Sequence, residues 1–508
     1  MSEEKNLAPG SEREERLKKL ATLQAEGINA YPASTKRDRE IAQVFSDFET
    51  LNTVQDSVCL AGRLRSLRSH GNLTFANLED ASGSIQLALS KKELGDDNYK
   101  RFIKLIDTGD FIEATGVTFT THKGEKSLMV TAWKLLTKVI APIPDAWYGL
   151  KDEDERYRRR YLDILLNPET REMFYKKTLF WEVMRDFMKR HGFFEVETPT
   201  IETTTGGAEA NPFRTHHDDF DLDVYLRISV GELWQKRLMA AGFEKVFEIG
   251  RVYRNEGSSP DHLQEFTNIE FYWAYANYKM GMKLVQELYQ EIAIKVFGKT
   301  NFSTKGIEYD LAGDWPEIDY CEEVLKRTGI DVLKATEEEM RKKLDELQVK
   351  YEGSNRERLT DTLWKYCRRT IAGPAFLVNH PKLVSPLSKA KPENPELTER
   401  FQVIIAGSEV GNGFSELNDP VDQRQRFELQ QKLIDKGDKE AMMPDWEFVE
   451  MLEHGMPPTC GFGGGERLFA FMVDKPIRET TLFPLMRPKK EVNEGNTDEK
   501  AAPLKKNN

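Results

Sequence analysis

The sequence predicts an α+β protein with two folded parts, a small β-barrel followed by a larger domain of long helices and strands. Three observations carry this expectation. Between residues 57 and 140, five or so short β-type runs follow one another, separated by Gly, Ser and Asn at turn-like intervals. Beyond residue 160, strand-like runs alternate with stretches of helical period such as "MFYKKTLFWEVMRDFMKRHGF". The chain has 508 residues, 39% hydrophobic and 31% charged, which suits a folded globular protein and not a disordered one.

Residues 1–56 are expected to form a solvated tail and then one helix. In "EERLKKLATLQAEGINAYP", Leu17, Leu20, Leu23 and Ile28 recur at roughly helical spacing, and Gly27 and Pro32 end the run. Residues 57–145 form the barrel from "SVCLAGRLRSLRSHG", "NLTFANLEDASGSIQLALS", "DFIEATGVTFTTHKG" and "SLMVTAWKLLTKV". An oligonucleotide-binding (OB) barrel is the leading candidate, because its open face suits single-stranded nucleic acid. Arg63, Arg65 and Arg68 have no acid near them in sequence, and Phe75 and Gln86 fall on the next two strands. An exposed aromatic beside arginines suits unpaired bases and phosphates; a core position for Phe75 is the competing reading. Residues 146–160, with two prolines nearby, an acidic run and an arginine cluster, are a linker entering a helix. Residues 161–490 form the second domain, with a charged helical insertion at about 316–370, and 491–508 form a disordered tail.

Several classes are excluded. A net charge of −12 argues against general nucleic-acid coating, though it leaves room for a local basic patch. No window approaches twenty apolar residues and the N-terminus lacks an apolar signal core, so a cytoplasmic location without membrane contact is expected. Cys59, Cys321, Cys367 and Cys460 are far apart with no C-x-x-C pair, and the eight histidines show no H-E-x-x-H spacing. Neither a disulfide framework nor a zinc site is expected.

The stretch "GRVYRNEGSSPDHLQEFTNIEFYW" (250–273) carries the chemistry. Strand alternation puts Gly250, Val252, Arg254 and Glu256 on one face. In the second run Ile269, Phe271, Trp273 and Tyr275 form an apolar face, and Glu270 and Tyr272 point the other way. A half-exposed sheet with an Arg–Glu pair explains this stretch alone equally well. In "GSEVGNGFSELND", Asn412, Phe414 and Glu416 again share a face, and Gly411 and Gly413 leave room for a ligand to approach backbone. Three such faces suggest one sheet floor lined with carboxylates, an arginine and aromatics. Finally, "CGFGGGERLFAFMV" reads as a glycine turn opening a helix, whose N-terminus approaches phosphate with Arg467 as its cation. It is neither a Walker A loop nor a Rossmann fingerprint.

Taken together, these residues resemble the class II aminoacyl-tRNA synthetases, and within them the lysyl-tRNA synthetases (lysine--tRNA ligases). "GFFEVETPTI" (192–201) resembles motif 1, "RNEGSSPDHLQEFT" (254–267) motif 2 and "GFGGGERL" (461–468) motif 3. "GGAEANPF", "HPKLVSPL" and "GNGFSELNDP" also match, and the likeness runs from about residue 15 to 488. The resemblance implies an antiparallel sheet core flanked by helices, a homodimer through motif 1, and ATP, L-lysine and tRNA(Lys) as substrates with Mg2+ as cofactor. It implies that Arg254 touches the α-phosphate and the amino-acid carboxylate, and Arg467 the γ-phosphate. Glu256 and His262 hold the adenosine and phosphate end, Phe266 stacks on adenine, and Gly463 lies along the ATP site. Glu409 holds magnesium. Glu232 and Gly207 receive the lysine α-amino group. Glu270, Tyr272 and Glu416 receive the ε-ammonium, with Asn412 and Phe414 lining the pocket. Arg68, Phe75 and Gln86 meet the anticodon.

The physics of lysine agrees with this placement: a compact cation cannot be buried without negative partners. Two departures stand out. The family's second acidic metal ligand is matched here by Gln402, which supplies less charge. The segment "ISVGELWQKRL" is one residue longer than usual before Glu232. Two alternatives remain at this stage: an aspartyl or asparaginyl enzyme of similar layout, which would want a cation near Glu270 or Glu416, and a synthetase-like protein without aminoacylation.

Overall fold

The computed structural model describes residues 11–144, 150–208, 210–257, 262–351, 353, 355–437 and 441–489. The expected C-terminal tail, most of the N-terminal tail, residue 145 at the end of the expected barrel domain and residues 146–149 of the expected linker lie outside these. The chain divides into two units, Met1–Leu150 and Lys151–Asn508.

In the first unit, the helix Glu12–Ala25 starts on the Ser11 side chain and ends before Gly27. Five strands follow: β1 (Ser57–His70), β2 (Leu73–Glu79), β3 (Ser84–Ser90), β4 (Phe111–Thr120) and β5 (Lys126–Thr137). They close in the order β1-β2-β3-β5-β4. Alternation sets the two faces. Along β2, Thr74, Ala76 and Leu78 are buried and Phe75, Asn77 and Glu79 face outward. The helix Asp96–Leu105 adds Tyr99, Phe102 and Leu105 to the barrel core.

The strands of the second unit are, in chain order, β6 (Phe194–Glu195), β7 (Ile201–Glu202), β8 (Arg214–His217), β9 (Leu222–Leu226), β10 (Lys245–Tyr253), β11 (Glu265–Ala274), β12 (Asn301–Thr304), β13 (Ile307–Asp310), β14 (Glu317–Asp319), β15 (Ala375–Val378), β16 (Arg400–Ile405), β17 (Ser408–Ser415) and β18 (Thr459–Gly465). Eight of them form one sheet in the order β14-β15-β16-β17-β18-β11-β10-β6. Its six inner strands pair antiparallel, and the two edge pairs are parallel.

One face of the sheet is covered by helices. Pro168–Arg190 opens with proline at its first turn and closes with Lys189 and Arg190, which suits the helix dipole. Phe180, Val183, Met184, Phe187 and Met188 are its buried stripe. With Leu284, Val285, Leu288 and Tyr289 of the helix Tyr278–Ile292, they pack on Phe247, Phe271, Phe401 and Phe462 from four different strands. The region expected as an insertion holds the helices Tyr320–Thr328, Glu337–Glu346 and Arg356–Cys367, with their own core against Leu377 and Ile404.

Two sequence expectations need correction here. The glycine run 461–465 is not a turn before a helix but part of β18, a central strand. The helix after it, Glu466–Met472, starts on a buried acid: Glu466 accepts the Thr267 N–H at 2.8 Å and pairs with Lys177. Gly411 and Gly413 also act otherwise than expected. A Cβ on either would strike the Phe462 or Phe401 ring, so their missing side chains make room for the aromatic core.

Candidate active site

A cavity of about 600 Å3 lies over the sheet face opposite these aromatics, and every residue of the second domain singled out above as catalytic, binding or metal-ligating lines it, Gln402 included. The register explains the convergence. Glu270 on β11 pairs with Gly463 on β18, which pairs with Asn412 on β17. One step along the same face, Tyr272 pairs with Gly461 and Gly461 with Phe414. A Cβ on Gly461 would stand 2.1 Å from Glu416 Oε1 and 2.6 Å from the Tyr272 ring. Glycine in the middle strand thus lets side chains from both neighbours meet above it.

At this end, three carboxylates are buried together: Glu232, Glu270 and Glu416. Glu270 accepts the Val230 N–H at 2.6 Å and the Tyr272 hydroxyl at 3.1 Å. Burial, reinforced by the charge of Glu232, pushes its pKa up to about 8. Glu416 is 1% exposed; its Oε2 lies against the Lys236 ammonium, and its Oε1 has no hydrogen-bond partner. Burial raises its pKa well above the carboxylate range, opposed by the Lys236 ammonium 2.5 Å away. Gly207, at φ +86°, passes so close to Ser229 and Glu232 that a Cβ would overlap both.

The other end lies toward the start of β11, where Phe266 is four residues from Glu270, about 13 Å along a strand. Arg254 falls just beyond the end of β10, as does Glu256, so neither continues the strand's alternation. The Arg254 N–H donates to Gln264 O at 2.8 Å, its Nε to Ile228 O at 3.3 Å, and its guanidinium lies 5.3 Å from the Phe266 ring centre. Arg467 donates to the Glu409 carbonyl at 3.2 Å. Gln402 Nε2 donates to Glu409 Oε2 at 2.9 Å, while the buried Gln402 Oε1 has no hydrogen-bond partner. Turned over, that amide would put its oxygen beside the Glu409 carboxylate, a hard-oxygen pair that fits Mg2+ with one charge fewer than two carboxylates.

Sequence reasoning overlooks two residues. Lys236 lies one turn after Glu232 in the helix Glu232–Ala240, and its Nζ donates to Glu232 Oε1 at 2.6 Å. The Glu–Lys i,i+4 spacing was its only signal, and such pairs usually sit in water. Arg400 donates to Asn412 Oδ1 at 2.8 Å and fixes that amide; its sharing of a β16 face with Gln402 was the available hint.

On the barrel, Arg68 pairs with Phe75, and Asn77 pairs with Gln86, across β1, β2 and β3. Phe75 is half-buried and outside the barrel core, so the core reading is not supported. Gln86 Nε2 donates to Ser127 Oγ at 3.0 Å. The arginine cluster does have an acid: Arg65 pairs with Glu79 at 3.3 Å, because a bulge between Leu64 and Ser66 shifts the register.

Comparison with known proteins agrees with this architecture. Residues 152–487 match the family described as tRNA synthetases class II (D, K and N), and residues 58–136 match the OB-fold nucleic acid binding domain. The chain is 41% identical to a lysine--tRNA ligase of Thermotoga maritima over 94% of this chain and 96% of that protein. It is 43% identical to one of Roseiflexus sp., covering 94% and 98%, and 42% identical to one of Moorella thermoacetica, also covering 94% and 98%. Among the described residues, no helix is long and apolar enough to cross a membrane. With this sheet, this cavity and relatives matched over nearly their whole length, the chain belongs to the lysine--tRNA ligases, within the class II tRNA synthetases.

Proposed function

We propose that the chain joins L-lysine to tRNA(Lys) at the expense of ATP, through a lysyl-adenylate, with the cavity residues in the roles set out above. The carrying observation is the gathering of Glu232, Glu270 and Glu416 at one end of a cavity whose other end holds Arg254 and Arg467. A lysine with its two ammonium groups toward the carboxylates directs its own carboxylate toward Arg254. That carboxylate is already an anion, so its attack on the α-phosphate, expelling pyrophosphate, requires no general base. The terminal ribose 3′-hydroxyl of tRNA then attacks the acyl carbon and AMP leaves. Placement and charge neutralisation by Arg254 and Arg467 supply most of the acceleration. Glu409 and Gln402 are the residues that would hold Mg2+, which supplies charge neutralisation on the phosphates.

Lys236 bears on the aspartyl alternative, since it is a cation beside Glu416. It does not line the cavity, and three carboxylates with one ammonium leave an excess of negative charge when all are ionised. Such a site repels a substrate carboxylate.

We also assign the barrel face at Arg68, Phe75 and Gln86 to the anticodon, and a homodimer contact to the motif 1 region. The latter is supported by exposed Phe194 and Ile201, at 61% and 56%, with Phe243 beside Phe194. The four free cysteines suit the cytoplasm.

ATP–pyrophosphate exchange across the twenty amino acids tests the activity and the substrate together. Lysine alone is expected to support exchange; exchange with another amino acid, or none with lysine, refutes the assignment. Gly461→Ala is expected to raise the KM for lysine roughly 10-fold or more by displacing Glu416 or Tyr272, with a smaller effect on the KM for ATP. Steady-state exchange kinetics with each substrate varied in turn read this directly.

A further inference from the structure

We infer that Lys236 is a positioning residue of the amino-acid pocket, a built-in ammonium that favours the ionised form of Glu416 and aims Glu232 and Glu416 before substrate arrives. The inference rests on the lysine reading above and adds a residue that touches no substrate. Lys236 is 1% exposed and does not line the cavity, so it acts from behind the carboxylates. Its Nζ lies 2.6 Å from Glu232 Oε1 and 2.5 Å from Glu416 Oε2. The rings of Phe414, Tyr272 and Phe448 stand 5.3, 5.8 and 5.8 Å from the same nitrogen, within cation–π range. Carboxylates on one side and aromatic faces on others fix the ammonium in place.

The charge count gives this arrangement a purpose. Three buried carboxylates without a cation repel one another, and burial drives at least one to bind a proton. A protonated carboxyl is a poor partner for an ammonium. With all three ionised, Lys236 leaves an excess of two negative charges, which matches the two ammonium groups of one lysine, and its ammonium favours that state at Glu416. The titratable groups facing Glu416 are Lys236 and Glu232 from the helix Glu232–Ala240, Glu270 and Tyr272 from β11, and Cys460 from β18. Among the described residues, Lys236 is the only salt-bridge partner of Glu416. Removing it leaves Glu416 facing only acids, a phenol and a thiol.

The sign of the pH effect follows. Without Lys236, Glu416 takes up a proton more readily. Lysine binding then needs that proton to leave, so affinity is lost at low pH and recovered as pH rises. Each pH unit below the variant's carboxyl pKa costs about tenfold in the ionised fraction.

The test is K236M, which keeps length and removes charge, in full-length enzyme, with ATP–pyrophosphate exchange measured from pH 6.5 to 9. The expected result is a KM for lysine raised about 10- to 100-fold at pH 7. It should fall toward the wild-type value as pH rises, with the KM for ATP within about twofold. A KM for lysine that is unchanged, or raised equally at every pH, or raised in step with that for ATP, overturns the inference. If K236M does not fold, K236R is measured instead. It retains the cation, so its pH profile should have the wild-type shape, and a KM that falls with rising pH more steeply than the wild-type value overturns the inference. Absence of lysine-dependent exchange in the wild-type enzyme would instead refute the parent assignment.

Discussion

Replacement of Arg254 by alanine is expected to abolish lysine-dependent ATP–pyrophosphate exchange, by about 10³-fold or more, while the protein remains folded. The size follows from where the guanidinium stands. It is a planar fork of donors that remains charged at any working pH, placed over the Phe266 ring at the nucleotide end of the cavity. Negative charge on the α-phosphate must be neutralised as the substrate carboxylate approaches, and a positioned arginine at a transferring phosphoryl group accounts for rate factors of about 10³–10⁵. The fold depends little on this side chain. Its side chain donates one 3.3 Å bond to the Ile228 carbonyl and lies over the Phe266 ring. The backbone bond from the Arg254 N–H to Gln264 survives in alanine. Arg254→Lys should recover only part of the activity, since a point charge replaces a bidentate fork. Exchange kinetics beside circular dichroism decide the matter, and a normal exchange rate in Arg254→Ala would sink the assignment.

The two faces of β11 and β17 were legible because period-2 alternation is enforced wherever one side of a sheet is buried. Ile269 and Phe271 had to turn toward the helices, so Glu270 and Tyr272 had to turn away. The barrel was legible for the same reason, from Thr74, Ala76 and Leu78 alternating with Phe75 and Asn77. The glycine strand was not. Glycine has low strand preference, and local signals for 461–465 favour a turn. What holds it as β18 is tertiary: Tyr272, Glu416 and the Phe462 ring occupy the space that side chains would need. Lys236 was hidden by a related limit. An i,i+4 Glu–Lys pair looks the same in sequence whether it is solvated or, as here, sealed at 6% and 1% exposure. The Arg65–Glu79 contact needed a bulge that no local pattern announces.

Glu416→Gln is expected to raise the KM for lysine by about 10²–10³-fold and leave the KM for ATP within a few-fold. Glutamine keeps the shape of the side chain at a position 1% exposed, so packing against Gly461 and Tyr272 is preserved. What is lost is one of the charges that an incoming ammonium requires. Removing one partner of a buried ion pair costs about 3–5 kcal/mol, and the expected range lies toward the lower end of that cost. Lys236 also loses one of its two carboxylates and is left with Glu232 alone, which draws that carboxylate toward the helix and away from the substrate α-amino group. The pH profile separates this variant from K236M. An amide does not titrate, so the ratio of the Glu416→Gln lysine KM to the wild-type value should persist from pH 6.5 to 9, whereas that of K236M should relax as Glu416 ionises. Equal increases in both KM values would place Glu416 away from the ammonium. Recovery of lysine affinity at high pH in the glutamine variant would move the titrating group elsewhere, with Glu270, already pushed up to about 8, as the group to examine next.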